Sequence, residues 1–329
     1  DNYDKEDGAG LLKDRIEEAR QDLEDTLEMV KAHCEPVRAP RETEDFIRYF
    51  CGESGVEEGD ALEREALRVA FYKDVAKLIR AYSNIANEMT DAGFTAKESD
   101  AIKADVTFYH KLRDEIKVAS GDFVEMKLYE PAMRELLDMY IEADASTTVM
   151  DFDEFGLIEL IVEKGKDGLD AIPEGIRNNP EAMAETIENN IRKKIIDENP
   201  VNPKYYDEMS ILLHEVIEER RRKALNYQEY LEKILELSKK VVKPNGSKDQ
   251  YPPSMDNDAK RALYDNLGQD EILVVKIDSA INLTKKADWI GDRFKEREVK
   301  NAIRRVLEDK QSFDIEMIMA LVKAQKEYH

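Results

Sequence analysis

Residues 178–241 read NNPEAMAETIENNIRKKIIDENPVNPKYYDEMSILLHEVIEERRRKALNYQEYLEKILELSKKV, and almost every helix boundary in this stretch is signalled. Asn179 precedes Pro180 and Asn202 precedes Pro203. Each pair sets an N-cap residue before a first-turn proline, whose missing N–H has no intrahelical partner to lose there. Asn226 with Glu229 three residues on has the spacing of a capping box, with Asn in place of the usual Ser or Thr. Between the second start and the third, Tyr205, Met209, Leu212, Leu213, Val216 and Ile217 recur at threes and fours, so they share one helix face. Glu208, Glu215, Glu219 and Arg222 fall on the other face, where water solvates them. The stretch predicts three consecutive helices and, by its residues alone, no chemistry.

The flanks continue in the same style. Leu12, Ile16, Ala19, Leu23, Leu27 and Val30 make a near-heptad stripe, expected to pack one face of a surface helix rather than a free coiled coil. A turn with Pro36 and Pro40 follows, then a short helix carrying Phe46, Ile47, Phe50 and Cys51 and closed by Gly52; the acidic stretch from Gly52 to Asp60 reads as an exposed loop. A helix from about Ala61 to Met89 would bury Leu67, Val75, Leu78, Ile79, Tyr82, Ile85 and Met89 and end near Gly93. Thr95 and Glu98 form a capping box for the next helix, with Ile102, Val106, Tyr109, Leu112 and Ile116 inward and Gly121 as its stop. Pro131 is expected to start a helix holding Leu136, Leu137, Tyr140 and Ile141, and a shorter one runs from Leu157 to Val162. The clearest linker is Lys243–Ser254, KPNGSKDQYPPS. Beyond it, helices are marked by Leu263 and Leu267, by Ile272–Ile281, by Val299, Ile303 and Val306, and by Ile315–Val322. Neither β-alternation nor a fixed-period repeat occurs. The chain reads as all-α, an elongated multi-helix array in two or three lobes: an N-terminal lobe over 1–145, a central lobe over 146–243, a linker at 244–255 and a C-terminal lobe over 256–329.

Composition narrows the function classes. The 329 residues carry a formal net charge of −23, so the average surface repels nucleic acid and anionic membranes, and a DNA contact would need a local basic patch. Two cysteines, Cys34 and Cys51, make no disulfide framework and favour a reducing, cytoplasmic setting. No apolar run approaches the ~20 residues that span a bilayer. The first residue is Asp1 rather than Met, which suggests a piece of a longer polypeptide.

Tests for chemistry come out negative. No phosphate-cradling P-loop and no nucleophile elbow is present, and His33, His110, His214 and His329 stand singly, so no zinc site is expected. Asp151–Gly156 copies the first half of a calcium loop but has Phe155 at position five and Val162 at position twelve, without the bidentate carboxylate. Asp122 with Glu125-Met126-Lys127 has the residue types of a Mg²⁺ nuclease, yet lies between helical patterns rather than on a strand and hairpin, and reads as surface charge. No catalytic, cofactor or metal residue is assigned. Two basic zones remain. Arg220, Arg221, Arg222 and Lys223 end a helix, where cations suit the dipole and a partner could also dock. Lys285, Lys286, Arg293, Lys300, Arg304 and Arg305, in a zone with Lys295, Arg297 and Trp289, are the candidate DNA-backbone contacts.

The stretch from Pro173 to Ile234 resembles the C-terminal helical region of the R (restriction, or motor) subunit of type I restriction–modification enzymes. The pattern continues upstream in EDFIRYFCG (Glu44–Gly52), FYKDVAKLIRAYSNIANEM (Phe71–Met89) and RDEIKVASGD (Arg113–Asp122). Downstream it continues in RALYDNLG (Arg261–Gly268), DWIGDRFKEREVKNAIRRVL (Asp288–Leu307) and LVKAQKEY (Leu321–Tyr328), in the same order. In that family a nuclease domain and two RecA-like motor domains precede the helical region, which docks the subunit onto the methyltransferase core. The resemblance therefore implies a non-catalytic assembly module of an ATP-dependent type I site-specific deoxyribonuclease, acting in restriction of foreign DNA. Its partners would be the modification and specificity subunits, the upstream motor domains of the same chain and, as the alternative, duplex DNA guided past the motor. No nuclease or motor motif has a matching position here, so ATP and Mg²⁺ belong to the parent's upstream domains, and this chain is expected to hold neither.

Overall fold

The computed structural model describes residues 3–52, 58–122, 139–140, 156–165, 172–223, 225–244, 251–307 and 313–329. All regular structure among them is helical, with no strand, as the sequence predicts. The expected helix positions Leu136, Leu137 and Ile141, the break at 145/146 and the side chain of Leu12 lie outside the described residues. By packing the chain divides into two compact units, residues 1–190 and 191–329. The lobes expected from the sequence follow composition breaks, whereas this division falls inside a helix, between Asn190 and Ile191.

The first unit holds α1 (Tyr3–Cys34), α2 (Thr43–Cys51), α3 (Glu58–Ile85), α4 (Ala96–Ser120), α5 (Leu157–Lys164), α6 (Glu174–Arg177) and the first part of α7 (Pro180–Glu198). α1 lies along α3, and α2 packs against both α3 and α4. Their shared core contains Leu23, Val30, Phe46, Phe50, Phe71, Val75, Leu78, Ile79, Ile85, Val106, Leu112 and Ile116. Ile16, Ala19 and Leu27 lie partly buried against it, so the α1 stripe packs as a surface helix does. α3 stops at Ile85, earlier than its apolar pattern suggests. A series of turns follows, closed by Gly93 at φ +86°, and Arg20 donates to the Ala92 carbonyl at 2.9 Å. The Thr95–Glu98 capping box forms with both of its bonds, and Gly121 ends α4 in the left-handed conformation that a side chain would strain. Asn190 on α7 donates to the carbonyls of Val118, Ala119 and Thr186, occupying acceptors that the last turn of α4 cannot use itself.

The second unit holds the rest of α7, then α8 (Pro203–Arg221), α9 (Tyr227–Val242), α10 (Asp258–Asn266), α11 (Glu271–Thr284), α12 (Arg293–Val306), α13 (Ile315–Ala324) and a 3₁₀ turn at Lys326–Tyr328. The caps fall where the sequence places them: Asn202 accepts from Tyr205 N–H, and Asn226 and Glu229 exchange both capping-box bonds. Tyr205, Met209, Leu213 and Ile217 are buried along α8, with Leu212 and Val216 half-buried. α9 answers with Tyr230, Ile234, Leu237 and Val241. The second core gathers Ala259, Leu263, Leu273, Val274, Ile277, Ile281, Trp289, Val299, Ile303, Ile318 and Val322. Asp265 joins α8 and α10, accepting from Asn202 Nδ2 at 2.7 Å and from the Tyr251 hydroxyl at 2.8 Å. The C-terminus is fixed in the same way. Trp289 Nε1 donates to the Tyr328 carbonyl at 2.7 Å, and the Tyr328 hydroxyl donates to Asp278 at 2.9 Å.

Candidate docking and nucleic-acid surfaces

The basic run at the end of α8 is largely engaged within the chain. The Arg220 guanidinium stacks 5.6 Å from the centre of the Tyr230 ring, a cation–π contact that covers the start of α9. Arg221 and Arg222 both reach Glu218, at 3.9 and 3.0 Å. Lys223 leaves the helix at φ 54°, exposed and without an ion pair among the described residues. These pairs are solvent-facing and each is worth at most about 1 kcal/mol, so a partner's carboxylate could take them over.

The second basic zone lies on the α11–α12 pair and its turn. Asp292 caps α12 by accepting from Phe294 and Lys295 N–H, and Val299, Ala302 and Ile303 face inward. The outer face then carries Arg293, Arg297, Lys300 and Arg304 at spacings of four, three and four, a run of cations about 16 Å long at helical rise. Lys300 pairs with Glu316, and among the described residues Arg304 reaches the side-chain amide oxygen of Asn301 alone. Arg293, Arg297 and Arg305 have no ion pair among the described residues. In the turn, Lys286 pairs with Glu298 at 2.6 Å, and Lys285 donates to the Glu327 carbonyl and lies 5.6 Å from the Tyr328 ring centre. Trp289, which the sequence groups with this zone, is buried in the core and offers no face for base stacking.

The sequence did not flag what accompanies these cations. α11 also exposes apolar side chains on its outer face, interspersed with exposed Lys276, Ser279 and Asn282. Leu273, Val274, Ile277 and Ile281 face the core, while Ile272 (70 % exposed), Val275 and Leu283 (88 % exposed) line the opposite face at i, i+3 and i+11. Phe294, at the start of α12, is 83 % exposed. The only early signal is the run Ile272-Leu273-Val274-Val275, too continuous for a one-sided helix.

In the first unit, Asp122 is held structurally. Arg68, itself buried, makes a fork to both carboxylate oxygens at 2.6 and 3.3 Å and donates to the Phe50 carbonyl, and the Tyr72 hydroxyl adds a third bond to Asp122. All these bonds tie α2, α3 and the end of α4 together, while Glu125, Met126 and Lys127 lie outside the described residues. So do residues 151–155 of the calcium-like turn. Burial pushes the Cys34 and Cys51 thiols up to about 12. Glu115, on α4, sits under α6, where a Cβ on Gly175 would run into its carboxylate; the Thr43 hydroxyl is 3.4 Å away. Burial, opposed by the Thr43 bond and reinforced by nearby Asp114, raises its carboxyl to about 6. Among the described residues no group of three or more His, Cys, Asp or Glu is placed to hold a metal ion, and no helix is long and apolar enough to cross a membrane.

No protein-family model, curated protein or solved structure matches this chain.

Proposed function

We propose that this chain is a non-catalytic helical assembly module of a type I restriction endonuclease R subunit. It docks the ATP-dependent translocase and nuclease onto the methyltransferase core of modification and specificity subunits during restriction of foreign DNA. The observation that supports it most is the ordered series of stretches resembling that region of R subunits. They coincide with framework elements of the fold: Glu44–Gly52 with α2, Phe71–Met89 with the second half of α3 and the turns after it, Arg261–Gly268 with α10, and Asp288–Leu307 with α12 and its turn. DNA cleavage and ATP hydrolysis are assigned to the parent's upstream domains, with their ATP and Mg²⁺, and the setting is cytoplasmic. Mixing the chain with the cognate methyltransferase core should give a co-eluting complex. Separate elution at concentrations on the order of tens of micromolar would refute autonomous docking.

A second function has a specific observation behind it, the α12 cation stripe of Arg293, Arg297, Lys300 and Arg304. In this alternative the helix contacts the backbone of duplex DNA and guides it past the motor. Duplex affinity should then fall steeply with salt and be lost on reversing Lys300, Arg304 and Arg305 to Glu. Affinity indifferent to salt would exclude it.

A further inference from the structure

We infer that the α11–α12 hairpin is the docking face, and that it takes a protein surface offering an apolar groove flanked by carboxylates. This rests on the assembly function above and names the surface and the partner's chemistry. Four of the large side chains left exposed, Ile272, Val275, Leu283 and Phe294, lie on this one hairpin. Leu283 and Phe294 occupy the same end of it: Lys286, three residues past Leu283, reaches Glu298, one turn along α12 from Phe294. Arg293 and Arg297 lie within one turn of Phe294 on α12 and Arg305 lies in the last turn of the same helix, all three without ion pairs among the described residues. Aromatic and aliphatic anchors with arginines at the rim are the composition of a protein interface.

Charge selects the partner. The hairpin, residues 271–306, holds nine cations and six carboxylates within a chain of net charge −23, so it is a net-basic island that attracts an acidic surface. A phosphodiester backbone would satisfy the arginines but has no apolar groove to cover Ile272 and Leu283. A second copy, paired about a twofold axis through this face, would bring two net-basic surfaces together.

Two double variants separate the possibilities, Ile272→Gln with Leu283→Gln and Arg293→Glu with Arg297→Glu. All four positions are exposed, and unchanged far-ultraviolet circular dichroism verifies the fold. Titrated against the cognate methyltransferase core, each variant should bind at least about ten-fold more weakly than the parent chain. Unchanged affinity in both would overturn the assignment of this face while leaving docking intact. No complex with the parent chain would instead overturn the assembly function, and this inference with it. Duplex binding lost only in the arginine variant, with core binding unchanged, would assign the hairpin to nucleic acid. Self-association in sedimentation velocity abolished by both variants would assign it to a second copy, and either result overturns the inference.

Discussion

Glu115 gives the sharpest test of the first unit. Its carboxyl is raised from an ordinary 4.5 to about 6, chiefly by burial beneath α6. Where the folded pKa exceeds the unfolded one, the folded chain keeps a proton that the unfolded chain has released. The penalty for burying the carboxylate is therefore absent below pH 4.5, grows between 4.5 and 6, and is complete above 6. A rise from 4.5 to about 6 corresponds to about 2 kcal/mol of lost stability at pH 7.5. Glu115→Gln keeps the shape and removes the charge, so it should stabilise the first unit by up to that amount at pH 7.5 and by almost nothing at pH 4. The sole tryptophan, Trp289, lies in the second unit and does not report this change. The assay is amide hydrogen exchange of α4, compared between the two proteins across that pH range. Gly175→Ala supplies a companion measurement. Its Cβ displaces the carboxylate toward water, so the raised pKa and the pH dependence should both shrink. A Glu115→Gln effect of equal size at pH 4 and pH 7.5 would refute the reasoning.

Two further outcomes follow from buried groups. Asp122→Ala leaves the Arg68 guanidinium buried without its counter-charge, and should cost about 3 kcal/mol or more in thermal unfolding; an unchanged midpoint would show that the fork contributes nothing. At pH 8 a thiol with a pKa near 12 is thiolate to only about one part in ten thousand, so buried Cys34 should react with a thiol-specific disulfide reagent far more slowly in the native chain than in the urea-unfolded chain. Rapid stoichiometric labelling of native Cys34 would contradict its burial.

The fold was legible where the signal is local. Asn202, Asn226 and Thr95 announce their helices because a cap needs only its own side chain and an N–H two or three residues on. The end of α3 was not, since Ala86 and Met89 continue the apolar pattern after the chain has turned and still pack on the first core. The unit boundary was hidden for a related reason. Punctuation by proline and glycine marks where a chain turns, and nothing within α7 turns between Asn190 and Ile191. The Arg68–Asp122 fork is equally illegible in sequence, because its partners lie 54 residues apart.

The candidate surfaces follow the same division between local and distant causes. Arg220–Lys223 and the cations from Lys285 to Arg305 are visible as charge in any window of sequence. Which of them remain available is decided by Glu218, Glu298 and Glu316, and for Arg220 by Tyr230, which only folding brings near. Trp289 shows the converse. In sequence it belongs to the basic zone of lysines and arginines, yet its indole N–H is taken up by the Tyr328 carbonyl, a partner 39 residues away, and the ring becomes core. Apolar character is more ambiguous still. Ile272-Leu273-Val274-Val275 reads the same whether both helix faces are buried or one awaits a partner. One face packs against α10 and α12, leaving Ile272, Val275 and Leu283 in water. An apolar face left exposed beside arginines that have no ion pair among the described residues is costly to keep solvated unless something covers it, and that asymmetry is the reason we propose α11–α12, rather than the more conspicuous basic run ending α8, as the docking face.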